Sequence, residues 1–394
     1  MVKYEQALQL IDEYKFKHQT KTIDTFESLG YTLASNCYSN INVPGFRKSA
    51  MDGYALNSSD DLNQTFKVVE TIYAGSNSNP KLNCFECVKI MTGAPIPDNC
   101  DLVIVKELAN LENDVVTFNI PKTKLNSNIC QIGEDIKADE LLFSAGTVIT
   151  PTVISSLISS GNFEIEVNDK PSILLVTTGD EVVTTNTPLS CGQIYNSNLA
   201  YLKTRLLELG FKANTIHIDD SQQSAQTIFN TKYDLIITTG AISVGDRDII
   251  RNYIMATSPK VIFDRVNIMP GGPVVFWEHN QTPIISLAGS PFANFVTFEL
   301  FARRILAHLT KDKSLIVAEQ VMSLDDYFHK TIKKRRFVKA NLKGNKITLP
   351  ANNHLASSMH EMTLCNCLIN LERGEHNLIP GDQVKVIDIR RNHE

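Results

Sequence analysis

Isolated carboxylates held in glycine-rich loops are the residues whose types and spacing could do chemistry in this chain. Leu175 to Glu181 reads LVTTGDE and puts Asp180 and Glu181 just after a glycine. Leu235 to Gly240 reads LIITTG and runs on as AISVGDRD, which carries Asp246 and Asp248. The stretch VPGFRKSAMDGYAL from Val43 and the stretch IMTGAPIP from Ile90 set Ser49, Asp52 and Thr92 in a frame of Gly and Pro. IGEDI, from Ile132, adds Glu134 and Asp135. Oxygen donors spread thinly over several loops suit magnesium, a hard cation that commonly keeps a substrate phosphate oxygen among its ligands. Each loop alone also has a plainer reading. An acidic residue after a strand usually caps the next helix, and Gly-Pro frames also build ordinary surface turns.

Cysteine offers no comparable site. Of the eight, only Cys84 with Cys87 and Cys365 with Cys367 lie close together. C-x-C is a poor zinc partner for C-x-x-C, so the thiols read as reduced, small apolar side chains. AGSPFANF is more informative: with Ser290 as N-cap and Pro291 at the first helical position, it opens a helix. The free amides and dipole at such a terminus attract an anion without any cationic side chain.

These loops need elements to hold them. From Ser172 onward, apolar runs alternate with amphipathic segments, the pattern of a parallel sheet wrapped by helices. SILLVTT is continuously apolar, as a strand buried on both faces must be. A helix is expected over Asn198 to Leu209, with Leu199, Leu202, Leu206 and Leu209 on one face, Ser197 as N-cap and Gly210 as stop. Strands follow at Ala213 to His217, Leu235 to Thr239, Lys260 to Phe263, Val274 to Trp277 and Pro283 to Ser286, with a helix around Gln222 to Asn230 and a long one from Pro291 to about Leu309. In such open sheets ligands bind outside the carboxyl ends of the strands, so the TTG turns are expected to wall one pocket.

Elsewhere the texture is different. Tyr4, Leu8, Ile11 and Lys15 form a stripe with Ala7 and Tyr14 beside it, which predicts an opening amphipathic helix. Short β-type runs fill Ile41 to Gln131, and short strands return after Asp312, where the basic run Lys333 to Arg336 reads as a solvated strand edge. At 394 residues the chain is long enough for two to four domains at about 100 to 200 residues each. Its 38 basic and 43 acidic residues, net charge -5, lack the cationic surplus that draws nucleic acid or membrane surfaces. The charged first twenty residues do not resemble a signal peptide, and no run reaches the ~20 apolar residues of a membrane helix. A cytoplasmic protein is expected.

Taken together, these segments resemble the MoeA family, including the E domain of gephyrin, in order along nearly the whole chain. The residues that carry the resemblance are PGFRKSAMDGYA, KIMTGAPIPDNCDLVIVKE, GEDIKADELLFSAGTVITP, VTTGDEVV, GQIYNSN, ITTGAISVGDRD, PGGPVVF and GSPFANFVTF. SAMDGYA followed by MTGAP is the specific part, because MogA-type and CinA-type proteins share the α/β module alone. The resemblance implies an elongated, multidomain α/β fold with a MogA-like parallel-sheet domain and small β-rich domains. Its implied division is 20–40 with 137–168 as linking domain I, 41–136 as β-rich domain II, 1–19 with 169–312 as the molybdopterin-binding domain III, and 313–394 as β-rich domain IV.

The resemblance also implies an activity: molybdenum from molybdate is inserted into adenylylated molybdopterin, with magnesium-dependent release of AMP. The implied assembly is a homodimer whose cleft joins the α/β domain of one subunit to the SAMDGYA domain of the other. A MogA-type adenylyltransferase and acceptor molybdoenzymes are the implied partners. Matched by motif position, the catalytic residues would be Asp52, Thr92, Asp135, Glu181, Asp219 and Asp248, with Glu181 and Asp248 holding Mg2+. Substrate contacts would come from Ser49, Thr178, Gly179, Asp180, Gly240 and Ser243. Gly245, Arg265, Gly289, Ser290 and Pro291 would add to them.

Several departures thin the cationic side of the pattern. MPGGP puts Met269 and Gly272 where the family has cations, Cys130 stands in place of an arginine, and the LPGNPVS helix start becomes LAGSPFA. Arg265 and Lys339 are candidate replacements, as are Arg47 and Lys48 beside SAMDGYA. The alternative reading is a non-catalytic molybdopterin-binding or scaffold protein of the same fold. A MogA-type adenylyltransferase is disfavoured, because that activity needs neither the first 150 residues nor the final domain.

Overall fold

The computed structural model describes residues 1–119, 126–219, 226, 228–242, 248–350 and 360–390. Its centre is a six-stranded sheet in the spatial order Ala213–Ile218, Ile173–Thr178, Leu235–Thr239, Thr282–Leu287, Val275–His279, Lys260–Asp264. The first four strands run parallel. The last two are antiparallel to their neighbours, so the sheet is mixed where the alternating pattern predicts a parallel one. The cause is local. Asn280 and Gln281 form a two-residue turn with φ of 49° and 65°, which makes a hairpin and leaves no room for a crossover.

Two helix boundaries also differ from the expected ones, while the last helix keeps its expected bounds but not a regular interior. The helix Ser197–Glu208 is capped by Asn196, whose side chain accepts from Leu199 N, and not by Ser197. The opening helix covers Tyr4–Glu13 and stops before Lys15. The last helix of the sheet domain is α-helical over Pro291–Thr297, turns as a π-helix over Phe298–Ala302, and is α-helical again over Arg303–Thr310. Most of the helix expected around Gln222 lies outside the described residues.

Burial explains why these elements assemble. Ile173, Leu175, Leu235, Ile237 and Ile285 share one core with Phe263, Phe301, Ile305 and Leu306. Tyr4, Ala7 and Ile11 of the opening helix are buried in the same core, far away in sequence from their neighbours. Asp12 reinforces the contact by pairing with Arg304 at 2.6 Å and His308 at 2.7 Å.

Among the described residues, three of the further sheets have more than two strands. Thr20–Asp24, Glu164–Asn168 and Thr32–Leu33 form one, with the helix Pro151–Ser159 near it. A six-stranded sheet built around Gly53–Leu56 and Glu86–Ile90 carries the SAMDGYA and MTGAP loops at its strand ends. Another six-stranded sheet holds the C-terminal segment, with Arg335–Lys343 paired on both sides. Arg335 and Arg336 therefore sit on an inner strand next to Ile268–Met269 and Leu371, not on a solvated edge. Among the described residues, no helix is long and apolar enough to cross a membrane.

Candidate functional site

The strands Ile173–Thr178 and Leu235–Thr239 lie side by side with Thr177 opposite Thr239. From the first the chain moves outward to Ala213–Ile218; the next strand returns to its other side. Such a reversal of strand order opens a crevice at the carboxyl ends. A cavity of about 490 Å³ occupies it.

Glycine shapes this crevice where it is narrowest. Gly240 has φ of 91°, and a Cβ there would stand 2.8 Å from Thr178 Oγ1. Gly289 faces it so closely that its own Cβ would lie 3.4 Å from Gly240 Cα. Gly179, with φ of 121°, leaves room for the Glu181 carboxylate to fold back over the turn. Two helix N-termini open on the cavity, that of Ser197–Glu208 and that of the helix starting at Pro291. Ser290 occupies the N-cap position of the latter without a side-chain capping bond.

The lining brings together Thr178, Glu181, Gly240, Asp248, Gly289, Ser290 and Pro291. Glu181 and Asp248 are its carboxylates, and among the described residues no Lys, Arg or His lines it. Asp248 stands at the N-cap of Ile249–Thr257, where its side chain makes no capping bond. Gly179 and Asp180 shape the adjoining turn without lining the cavity, and Ser243 and Gly245 lie outside the described residues.

A second cluster forms on the sheet that carries SAMDGYA. Thr92 donates to Asp52 Oδ1 twice, from its backbone N at 2.9 Å and its hydroxyl at 2.8 Å. Lys106 Nζ stands 3.2 Å from Asp52 Oδ2. The Thr92 amide and hydroxyl, with Lys106, pull the Asp52 carboxyl down to about 2. A carboxylate held that firmly ionised is a ligand or an orienting group, since a general base works best with a pKa near the operating pH. Lys106 is a functional candidate that the residue reading did not single out.

The remaining candidates are not among the residues that line the cavity. Ser49 is buried, and its hydroxyl is used in the local turn, donating to Met51 O at 2.6 Å. Asp135 is exposed next to Val43, and Asp219 is exposed after its strand. The Arg265 carbonyl accepts from Val2 N at 2.8 Å and so ties down the residues before the opening helix, and its side chain is not part of the lining.

None of the candidate replacement cations lines the cavity. Arg47 donates to the Cys100 carbonyl. Lys48 pairs in register with Cys130. Lys339 is fully buried, with its ammonium 4.6 Å from the Phe292 ring centre, and burial pushes its pKa down.

Thr177 and Thr239 lie in the TTG turns expected to wall the pocket, whereas the lining residues Asn196 and Asn198 escaped the sequence reading. Asn198 donates to the Gly289 carbonyl at 2.7 Å, and Asn294 donates to Thr239 Oγ1 at 2.7 Å, so amides tie the walls together. The one available signal was GQIYNSN, whose two asparagines flank a helix start.

Comparison with known proteins agrees with this architecture. Residues 2–161 match the family model described as MoeA N-terminal region (domain I and II), and residues 174–308 match a "Probable molybdopterin binding domain". A molybdopterin molybdenumtransferase of Staphylococcus aureus is 30% identical over 97% of this chain and 94% of its own length. Its Haemophilus influenzae counterpart is 30% identical over 96% of each chain. A solved MoeA molybdopterin-biosynthesis protein from Pyrococcus horikoshii shares the fold with a TM-score of 0.84, at 23% identity and 99% coverage of both chains. Identity at this level, sustained from one end of the chain to the other, makes this protein a member of the MoeA family of molybdopterin molybdenumtransferases.

Proposed function

We propose that the chain transfers molybdenum from molybdate to adenylylated molybdopterin, with magnesium-dependent release of AMP, and that the 490 Å³ cavity seats the phosphorylated pterin. The observation that carries this reading is the charge of the lining. Two helix N-termini and glycine backbone invite an anion, yet the two charged side chains among the described lining residues, Glu181 and Asp248, are acidic. An anion and two carboxylates share a site only when a cation lies between them. Magnesium fits that donor set, because it is usually held by one or two carboxylates together with substrate phosphate oxygens. When bound, it would neutralise charge on the bond that releases AMP.

The chain's own residues divide the work. Glu181 and Asp248 would hold the cation, while Gly240 and Gly289 let the ligand approach the backbone. Asp52, Thr92 and Lys106 do not line this cavity within one chain. A homodimer in which their loop faces the partner's cavity would add them to the site, with Asp52 orienting the attacking oxygen. The protein would act in the cytoplasm, downstream of an adenylyltransferase of the MogA type and upstream of acceptor molybdoenzymes.

The thinned cationic side favours one rival, a scaffold that binds the pterin without transfer. Purified protein given molybdopterin-AMP, molybdate and magnesium separates the two. Release of AMP that falls at least tenfold in Asp248→Asn and in Glu181→Gln is the expected result. Tight pterin binding with no AMP release supports the scaffold, and undiminished release in both variants at limiting magnesium removes the cation site.

A further inference from the structure

The floor of the cavity contains a hydrogen-bond chain whose direction is set from outside it. Asn196 Oδ1 accepts from Leu199 N at 2.9 Å as the helix cap, which fixes the orientation of its amide. Its Nδ2 therefore donates, at 2.9 Å, to Thr177 Oγ1. The same hydroxyl lies 2.9 Å from His217 Nδ1, on the neighbouring edge strand. Thr177 is 2% exposed and is part of the cavity lining, whereas His217 is not.

Donor and acceptor arithmetic leaves two arrangements. A hydroxyl has one hydrogen and two lone pairs, and Asn196 occupies one lone pair. If Nδ1 of the imidazole is bare, the Thr177 hydrogen points at His217 and the cavity is offered none. If Nδ1 carries the hydrogen, it donates to the second lone pair, and the Thr177 hydrogen must turn elsewhere; the remaining direction is the cavity. For neutral imidazole the two forms differ only in which ring nitrogen is protonated, so interconversion gives one proton to water and takes one back.

We propose that His217 is a positioning residue for the anionic ligand: its ring nitrogen decides whether the Thr177 hydroxyl presents a hydrogen to a phosphate oxygen in the cavity. This rests on the reading that the cavity binds a phosphorylated ligand. The ligand draws the hydroxyl hydrogen to itself, and the imidazole shifts to its Nδ1–H form to fill the lone pair left behind. An uncharged donor supplied this way lies in a wall where no described side chain is cationic.

Nitrogen-15 NMR of the imidazole in the full-length protein reads the switch directly. Spectra are taken with and without AMP and magnesium at about pH 8, above the ordinary range of imidazole titration. The expected result is a His217 Nδ1 shift that moves from the unprotonated to the protonated position when AMP binds. Thr177→Val should abolish that change and weaken AMP binding about tenfold or more, as loss of a hydrogen bond to a charged group does. Thr177→Ser, which keeps the hydroxyl, should restore both. AMP binding that leaves the His217 shifts unmoved, or that is as tight in Thr177→Val, overturns the role of His217 while the cavity reading stands. Wild-type protein that binds no AMP overturns both.

Discussion

Glu299→Gln is the substitution that most sharply tests how the walls of the cavity are held. Glu299 lies in the π-helical turn and is fully buried. Its carboxylate accepts from Tyr201 OH at 2.5 Å, from Arg205 Nε and Nη2 at 2.8 and 3.1 Å, and from Arg303 Nη1 at 2.7 Å. The two arginine side chains are 9% and 1% exposed. Glutamine keeps the shape but takes away the charge and turns one acceptor into a donor facing guanidinium hydrogens. Removing one partner of a buried ionic cluster costs about 3–5 kcal/mol. At about 2–4 °C per kcal/mol, the melting transition should fall by roughly 6 to 20 °C.

The effect should also spread in a defined direction. Arg205 and Arg303 both donate to the Ile389 carbonyl, so the adjoining strand Gln383–Asp388 should exchange its amide hydrogens faster. Calorimetry and hydrogen exchange on the full chain measure the two consequences. Glu208→Gln is the control: that carboxylate also pairs with Arg205 but is 68% exposed, so its loss should cost at most about 1 kcal/mol. A Glu299→Gln protein that melts within about 2 °C of wild type, with unchanged exchange at the last strand, would refute the reasoning.

Three other outcomes follow from the same structure. Gly240→Ala puts a Cβ against Thr178 Oγ1 at a φ that side chains rarely adopt, so it should lose about 1–3 kcal/mol and most AMP binding by calorimetric titration. The Asp52 carboxyl, held down to about 2, contributes stability that is present above its ordinary value of 3.8 and is lost as pH falls through 2. Carbon-13 NMR should show its midpoint rising in a Thr92→Val, Lys106→Met double variant, and an unmoved midpoint would discard that cluster. Ile11→Ala, at a fully buried position of the opening helix, should cost about 2–5 kcal/mol in chemical denaturation. A loss below about 1 kcal/mol would mean that the helix does not pack on the sheet domain as described.

What the chain determines by itself is what short-range physics can encode. SILLVTT and LIITT are legible as buried strands because each is apolar throughout, and the glycines after them announce sharp turns at the strand ends. Pro291 after Ser290 marks a helix start, and the order of SAMDGYA, MTGAP and TTGDE is specific enough to identify the family. Asn196 replaced Ser197 as the cap because only the folded backbone decides which side chain reaches Leu199 N. The mixed sheet was missed because the Asn280–Gln281 turn acts through two positive φ angles, which a residue list does not display.

The cavity itself belongs to the tertiary structure. Glu181 and Asp248 are far apart in sequence and line one cavity because two parallel strands lie next to each other at a reversal of strand order. Lys339 reads as an available cation in one dimension and is a buried ammonium against Phe292 in three. Asp52 and Lys106 become an ion pair only when their strands register. Strand pairing and charge burial are set by residues distant in the chain, so periodicity and turn chemistry reveal the elements, while only packing decides which side chains face a ligand and with what charge.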